Sequence, residues 1–331
     1  MQVQDAVKKA QQRMGLTSEQ PPLPAQSLLQ LWQQAVADSA DSPAFTCLGK
    51  TLTYGDVDKL ADRAASYFYH EMNLRAGDRL AVQLPNLLQY PVVVVAAWKV
   101  GLVIVNTNPM YTHRELVHQF NDSGATVVVV LDQFYETLRA ALPETGVKHV
   151  IVTRPIDLLP QPKKLLLAGV MKVLGKRPAL PASEVIHFSQ LLAAQGDAPA
   201  HSPALADICA LQYTGGTTGV SKGVMLTQQS ILSNIAQALE IVAIGGHSIK
   251  HFTTVSPLPL YHIYAYMLNM GLMPATRGHS LLIPDPRNIP AFVKTIKNVK
   301  FEIFCGLNSL FVGLLQNKEF QKMDFSSLSL T

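Results

Sequence analysis

Short apolar runs alternate with stretches of helical spacing along most of the chain, and that alternation sets the expected fold. Arg79–Leu84, Leu102–Val105, Val127–Leu131 and Val147–Val152 read as strands, and Val127–Leu131 is an unbroken apolar run of the kind buried on both faces. Among them, a helix starts at Pro91 and stops near Gly101, a second spans Arg114–Ser123, and a third spans Phe134–Leu142 with Leu138 and Leu142 at helical spacing. Further on, strand Ile208–Tyr213 is followed by strand Gly223–Leu226. A helix capped by Thr227 comes next, with Ile231, Ile235, Leu239 and Val242 on one face. Strand Phe301–Cys305 leads into a helix capped by Asn308, in which Leu310, Phe311, Leu314 and Leu315 are apolar. Strands alternating with helices predict an α/β fold, a largely parallel sheet with helices on both faces.

Two stretches break this pattern. Tyr90–Val105 invites a membrane reading, but it is short for a span and carries Lys99 near its middle, so it is read as soluble core. From Pro155 to about Pro203 the texture changes to prolines, a basic segment and Ala/Gln-rich stretches, which marks a variable inserted connection at about 155–203. Within it, Lys163–Arg177 drawn as a helix places Leu166, Leu167, Val170, Met171, Val173 and Leu174 on one broad face. Lys172 and Lys176 lie opposite, Lys164 flanks the apolar face, and Lys163 and Arg177 sit at the ends, where they can snorkel. With no acidic residue in it, the segment suits either an in-plane contact with an anionic membrane or packing on its own domain.

Composition narrows the class. Hydrophobic residues make up 48% of the 331 and charged residues 15%, so the chain is globular and can bury a sizeable core. A net charge of +4 without a basic stripe of interleaved aromatics argues against nucleic acid. Cys47, Cys209 and Cys305 are too scattered for a disulfide framework or a zinc site, which favours a reducing cytosol. The polar N-terminus lacks the apolar core of a signal peptide.

The chemistry concentrates in Tyr213-Thr-Gly-Gly-Thr-Thr-Gly-Val-Ser-Lys-Gly223. Glycines Gly215, Gly216 and Gly219 expose backbone N–H groups, Thr214, Thr217, Thr218 and Ser221 add hydroxyls, and Lys222 adds a positive charge, a set suited to phosphate. The stretch is neither a Walker loop, because Lys222 is preceded by Ser221 and followed by Gly223, nor a dinucleotide fingerprint. It joins two strands, so it lacks the helix N-terminus on which those loops rely.

This loop, continued through Val224 to Thr227, resembles the phosphate-loop signature of the adenylate-forming (AMP-binding) superfamily. Pro257-Leu-Pro-Leu-Tyr-His-Ile-Tyr264 resembles a second signature of that superfamily. Leu84–Pro91, Val105–Thr112, Arg114–Leu116, Asn317–Phe320 and Asp324–Leu328 resemble bacterial long-chain fatty-acid–CoA ligases, and the likeness runs from about Leu28 to the end, after an N-terminal tail of residues 1–27.

The resemblance implies an α/β fold with sheets sandwiched by helices in two subdomains. It also implies ATP-dependent conversion of a fatty acid to acyl-AMP and then, with CoA, to acyl-CoA. Family members continue into a magnesium-holding glutamate, a hinge and a lid domain with a lysine, none of which this sequence contains. The expectation is therefore a fragment or truncated product of a ligase, or an inactive nucleotide- and acyl-binding module. Tyr213, Thr214, Gly215, Gly216, Thr217, Thr218, Gly219, Val220, Ser221, Lys222, Gly223 and Val224 would hold ATP, with Thr214 near Mg2+ and Lys222 on the β/γ-phosphates. His262 would lie at the acyl and α-phosphate end. Tyr266 resembles a gate at the fatty-acid tunnel, though core packing competes. Met267, Met270 and Met273 line an adaptable channel or are simply core, and Gly306–Ser309 border the acyl pocket. The implied partners are fatty acid, ATP and CoA, with a peripheral contact on the inner membrane face and a homodimer left open.

Overall fold

The computed structural model describes residues 2–13, 15–16, 20–161, 164–167, 169, 180–181, 184–198, 200–215, 220–244 and 251–331. Among them the strands form two sheets. One contains β1 (Pro43–Cys47), β2 (Lys50–Thr53), β10 (Thr253–Ser256), β11 (His279–Leu282) and β12 (Ile303–Phe304), in the order β12-β10-β11-β1-β2. The other contains β3 (Arg79–Gln83), β4 (Val103–Asn106), β5 (Val127–Leu131), β6 (His149–Thr153), β7 (Ile186–His187), β8 (Ile208–Thr214) and β9 (Lys222–Thr227), in the order β7-β6-β5-β3-β4-β8-β9. All pairs are parallel except β1–β2 and β8–β9.

The pleat sorts side chains into separate cores. On one face of the larger sheet, Leu80, Val82, Ile104, Val127, Val129 and Ile151 join the main core. That core also takes Phe45, Cys47 and Leu282 from the smaller sheet, and the helices Leu28–Ser39, Tyr54–Ser66 and Gln89–Val100. On the opposite face, Ala81, Val105, Val128, Val130 and Val152 pack with the helices His113–Ser123 and Tyr135–Ala141. The far face of the smaller sheet, through Val255, Leu281 and Phe304, packs with the helices Ile289–Ile296 and Asn308–Leu315. Two sheets thus alternate with three helical layers, as the resemblance implied.

Local chemistry explains most boundaries. Gly101 takes φ 82° and closes the helix Gln89–Val100, a left-handed cap that a glycine adopts without strain. Lys99, the interruption in that apolar helix, pairs with Asp58 at 2.8 Å and Asp62 at 2.7 Å. Burial depresses its ammonium, but the hydrogen bonds and charges of both aspartates outweigh burial and leave its pKa raised. Thr227 accepts from the Ser230 N–H at 3.1 Å and starts the helix Gln228–Ile244, on which Ile231, Ile235 and Val242 are buried. That helix is tied to the N-terminal segment, where Gln20 donates to the Ser233 hydroxyl and the Leu28 N–H to the Gln228 side chain.

Several expectations shift. The helix after β12 starts at Asn308 rather than being capped by it, because the Leu310 and Phe311 N–H groups close on the Leu307 carbonyl; Leu315 on that helix is 58% exposed. The strand expected over 301–305 contracts to Ile303–Phe304, and the one expected from Val147 starts at His149. The helix expected from Pro91 begins two residues earlier, at Gln89. Most of Lys163–Arg177 lies outside the described residues; within it, residues 164–167 are helical and the Lys164 ammonium donates to the Asp157 carbonyl. No described helix is long and apolar enough to cross a membrane.

The smaller sheet carries a pH-sensitive residue. His279 is mostly buried beside Thr46, 2.7 Å from its hydroxyl, and burial lowers its pKa from 6.5 to about 4. Its folded pKa is depressed, so the stability it contributes is full above pH 6.5 and is lost as pH falls through 4. Wild-type stability is therefore expected to fall by on the order of 3 kcal/mol over this window through His279 alone. Urea titrations at stepped pH check this: His279→Gln should flatten the slope between pH 6.5 and 4, and an unchanged slope would exclude the residue.

Candidate functional site

The carboxyl ends of β3, β4, β8 and β10 meet where the two sheets face one another, and buried amides line that junction. Asn86, three residues past β3, donates to the carbonyls of Ser256 (3.0 Å) and Leu258 (2.9 Å) and accepts from the Leu260 N–H (2.8 Å). Tyr90 donates to Asn106 at 2.6 Å and also meets the Leu260 carbonyl. Asn106, ending β4, donates to Gln212 on β8 at 3.2 Å, and Gln212 donates to the Tyr261 carbonyl at 3.0 Å. Asn86, Asn106 and Gln212 are almost fully buried, and these hydrogen bonds meet the need of buried polar groups for partners. The chain between Pro257 and Tyr264 is thereby held against β8, two residues from Thr214.

The glycine-rich stretch connects an antiparallel pair at the sheet edge. Thr214 pairs with Lys222 and Tyr213 with Gly223. Thr214, Gly215, Val220, Lys222 and Val224 are exposed, while Ser221 and Gly223 are half-buried; Gly216, Thr217, Thr218 and Gly219 lie outside the described residues. Tyr213 is buried at 8% exposure, and its hydroxyl donates to Asp122 at 2.5 Å. Burial first, and then the Asp122 carboxylate, push the Tyr213 phenol well above its ordinary pKa. Gly223 is required beside it, because a Cβ there would lie 2.9 Å from the Tyr213 ring.

His262 occupies the N-cap position of the short helix Ile263–Tyr266 and is exposed, its N–H bonded to the Pro259 carbonyl. Tyr266, one turn on, is buried at 1% exposure, so it faces the core while His262 faces solvent. Met267 opens a π-helical turn through Leu272; Met270 and Met273 are fully buried and Met267 packs against the main core. Tyr264 is half exposed beside the Cys305 thiol, whose hydrogen bond, ahead of burial, pushes the phenol up to about 12. This contact brings the His262 segment next to Gly306, whose missing Cβ would meet Phe311 at 3.1 Å. The Gln212–Tyr261 and Tyr264–Cys305 contacts thus tie the Pro257–Tyr264 segment to β8 on one side and to Cys305, beside Gly306, on the other. Sequence reasoning missed the amides Asn86, Asn106 and Gln212, and also His118 and Asp122; the signal available was a polar amide placed just after an apolar run.

The mixed α/β sandwich has the fold of the N-terminal domain of acyl-CoA synthetases. Residues 32–331 match the AMP-binding enzyme family, and the chain belongs to that family. It is 41% identical over 309 residues to the long-chain-fatty-acid–CoA ligase of Escherichia coli, covering 92% of this chain. The fold is similar to a crystal structure of a long-chain-fatty-acid–CoA ligase from Archaeoglobus fulgidus, at a TM-score of 0.75 and 24% identity over 93% of this chain and 57% of that one. It is also similar to an anthranilate–CoA ligase in complex with anthranoyl-AMP, at a TM-score of 0.76 and 18% identity over 93% and 54% of the two chains. The chain spans about 55% of the length of the curated ligase it matches.

Proposed function

We propose that the protein acts in long-chain fatty-acid–CoA ligation, and that the hairpin loop and the Pro257–Tyr264 segment form its ATP and acyl site. One observation carries the reading: the Gln212–Tyr261 hydrogen bond sets the loop's first strand beside the residue preceding His262. Similarity to named ligases over 92% of the chain supports the substrate class. The fatty-acid carboxylate attacks the α-phosphorus of ATP, the bond to the bridging oxygen breaks, and pyrophosphate leaves. CoA sulfur then attacks the acyl carbonyl and AMP departs.

The loop's part is to hold a polyanion in line for attack, which is mostly positioning and charge compensation. Lys222, exposed at the start of β9, offsets the charge on departing pyrophosphate. Tyr213 to Val224 supply the backbone and hydroxyl contacts. His262 orients the acyl carboxylate against the α-phosphate and Gly306 shapes the acyl wall, while Tyr266, buried in the core, supports the helix behind them. Among the described residues no group of three or more His, Cys, Asp or Glu side chains gathers to cage a metal. An exposed Thr214 hydroxyl fits a magnesium ion that keeps phosphate and water oxygens and takes a single protein ligand. Bound there, the ion would offset phosphate charge.

Exchange of labelled pyrophosphate into ATP tests the reading. It should require both a long-chain fatty acid and magnesium, and stop on chelation. ATP binding without exchange at any acyl length would instead identify a nucleotide- and acyl-binding module.

A further inference from the structure

The loop has a support outside its own hairpin. Helix His113–Ser123 runs beneath β8 and β9, and His118 and Asp122, four residues apart, share one of its faces. The His118 Nε2–H donates to the Ser221 carbonyl at 2.8 Å, at the loop's exit. Asp122 accepts from the Tyr213 hydroxyl at 2.5 Å, at its entrance. Between these two bonds the Tyr213 ring stands edge-on to the His118 imidazole, at 6.4 Å between centroids and 85° between planes. Gly223 packs against that ring, where a Cβ would lie 2.9 Å from it.

We infer that His118 and Asp122 are positioning residues that hold Tyr213 and Ser221, at the ends of the two strands the loop joins, on one helix and so place Thr214 and Lys222 for the phosphate chain of a nucleoside triphosphate. The inference rests on the proposed nucleotide site. A glycine-rich loop that joins two strands has no helix N-terminus to align its N–H groups. Fixed strand ends lower the cost of placing Thr214 and Lys222 on a bound phosphate chain. His118 fixes the peptide that leads into Lys222, and Asp122 fixes the ring against which Gly223 packs.

The test compares Michaelis constants in the natural protein. His118→Phe keeps the ring contact and removes the donor; it should raise the KM for ATP about 2- to 10-fold, the worth of one neutral hydrogen bond, with the KM for fatty acid unchanged. His118→Gln, which keeps a donor, should restore most of the ATP affinity, and Asp122→Ala should raise the ATP KM in the same way. Equal rises in both KM values with a lowered melting temperature would mark a merely structural contact and overturn the inference. So would an unchanged ATP KM in His118→Phe while Lys222→Ala is inactive, an outcome that leaves the proposed site standing. If Lys222→Ala is also silent, site and support fall together.

Discussion

Lys222→Ala is expected to slow adenylate formation by about 100- to 1,000-fold, the cost of removing one preorganised group that stabilises charge developing in a transition state. Lys222 is exposed at the start of β9, where Thr214 is its strand partner, so its loss leaves no cavity and the melting temperature should not move. Lys222→Arg keeps the charge and should retain part of the rate. Pyrophosphate exchange at saturating ATP separates lost chemistry from lost binding. Wild-type exchange in Lys222→Ala would remove this lysine from the site.

Asn86→Ala is expected to destabilise the fold by about 2–4 kcal/mol, because it deletes a buried side chain engaged in three hydrogen bonds and strands the Leu260 N–H away from water. Asn86→Asp keeps an acceptor for Leu260 while losing both donations to Ser256 and Leu258, so it separates the two halves of the bridge. Urea unfolding with an unchanged slope and a lowered midpoint is the expected signature. A midpoint within experimental scatter of wild type would show that the bridge contributes little. Because Asn86 also fixes the chain just before His262, the variant should lose activity at temperatures where it is still folded.

The centre of the larger sheet was legible because β3, β4, β5 and β6 are buried on both faces and therefore read as apolar runs, as Val127–Leu131 does; the half-buried two-residue β7 was not. The smaller sheet was mostly hidden. β10 and β11 bury Thr254, Ser256 and Ser280 beside Val255 and Leu281, so neither an apolar run nor a clean alternation announces them. The second partner of β11, β1, comes from the far end of the chain, a pairing that no local pattern carries. In the site, the glycine loop and the His262 segment stood out by composition. Their supports did not: Asn86, Asn106 and Gln212 are ordinary amides until the fold places them on one line, and His118 lies on a helix whose apolar spacing explains itself without it. Tyr266 and the methionines near it show the reverse case, conspicuous in sequence and buried in the core.

The pairing of β1 with β11 also bears on how the protein is made. Thr46 and His279, joined across that seam, are 233 residues apart, and Tyr54 bonds the Gly278 carbonyl from 224 residues away. On a ribosome, β1 and β2 can zip into a hairpin at once, since Phe45 faces Leu52. The other edge of β1 then waits for β11 to be synthesised, which at roughly 5–20 residues per second takes on the order of tens of seconds. Throughout that interval the nascent chain displays a free strand edge with Phe45 uncovered, a template for pairing with neighbouring chains. Slow translation therefore lengthens the window for co-translational aggregation.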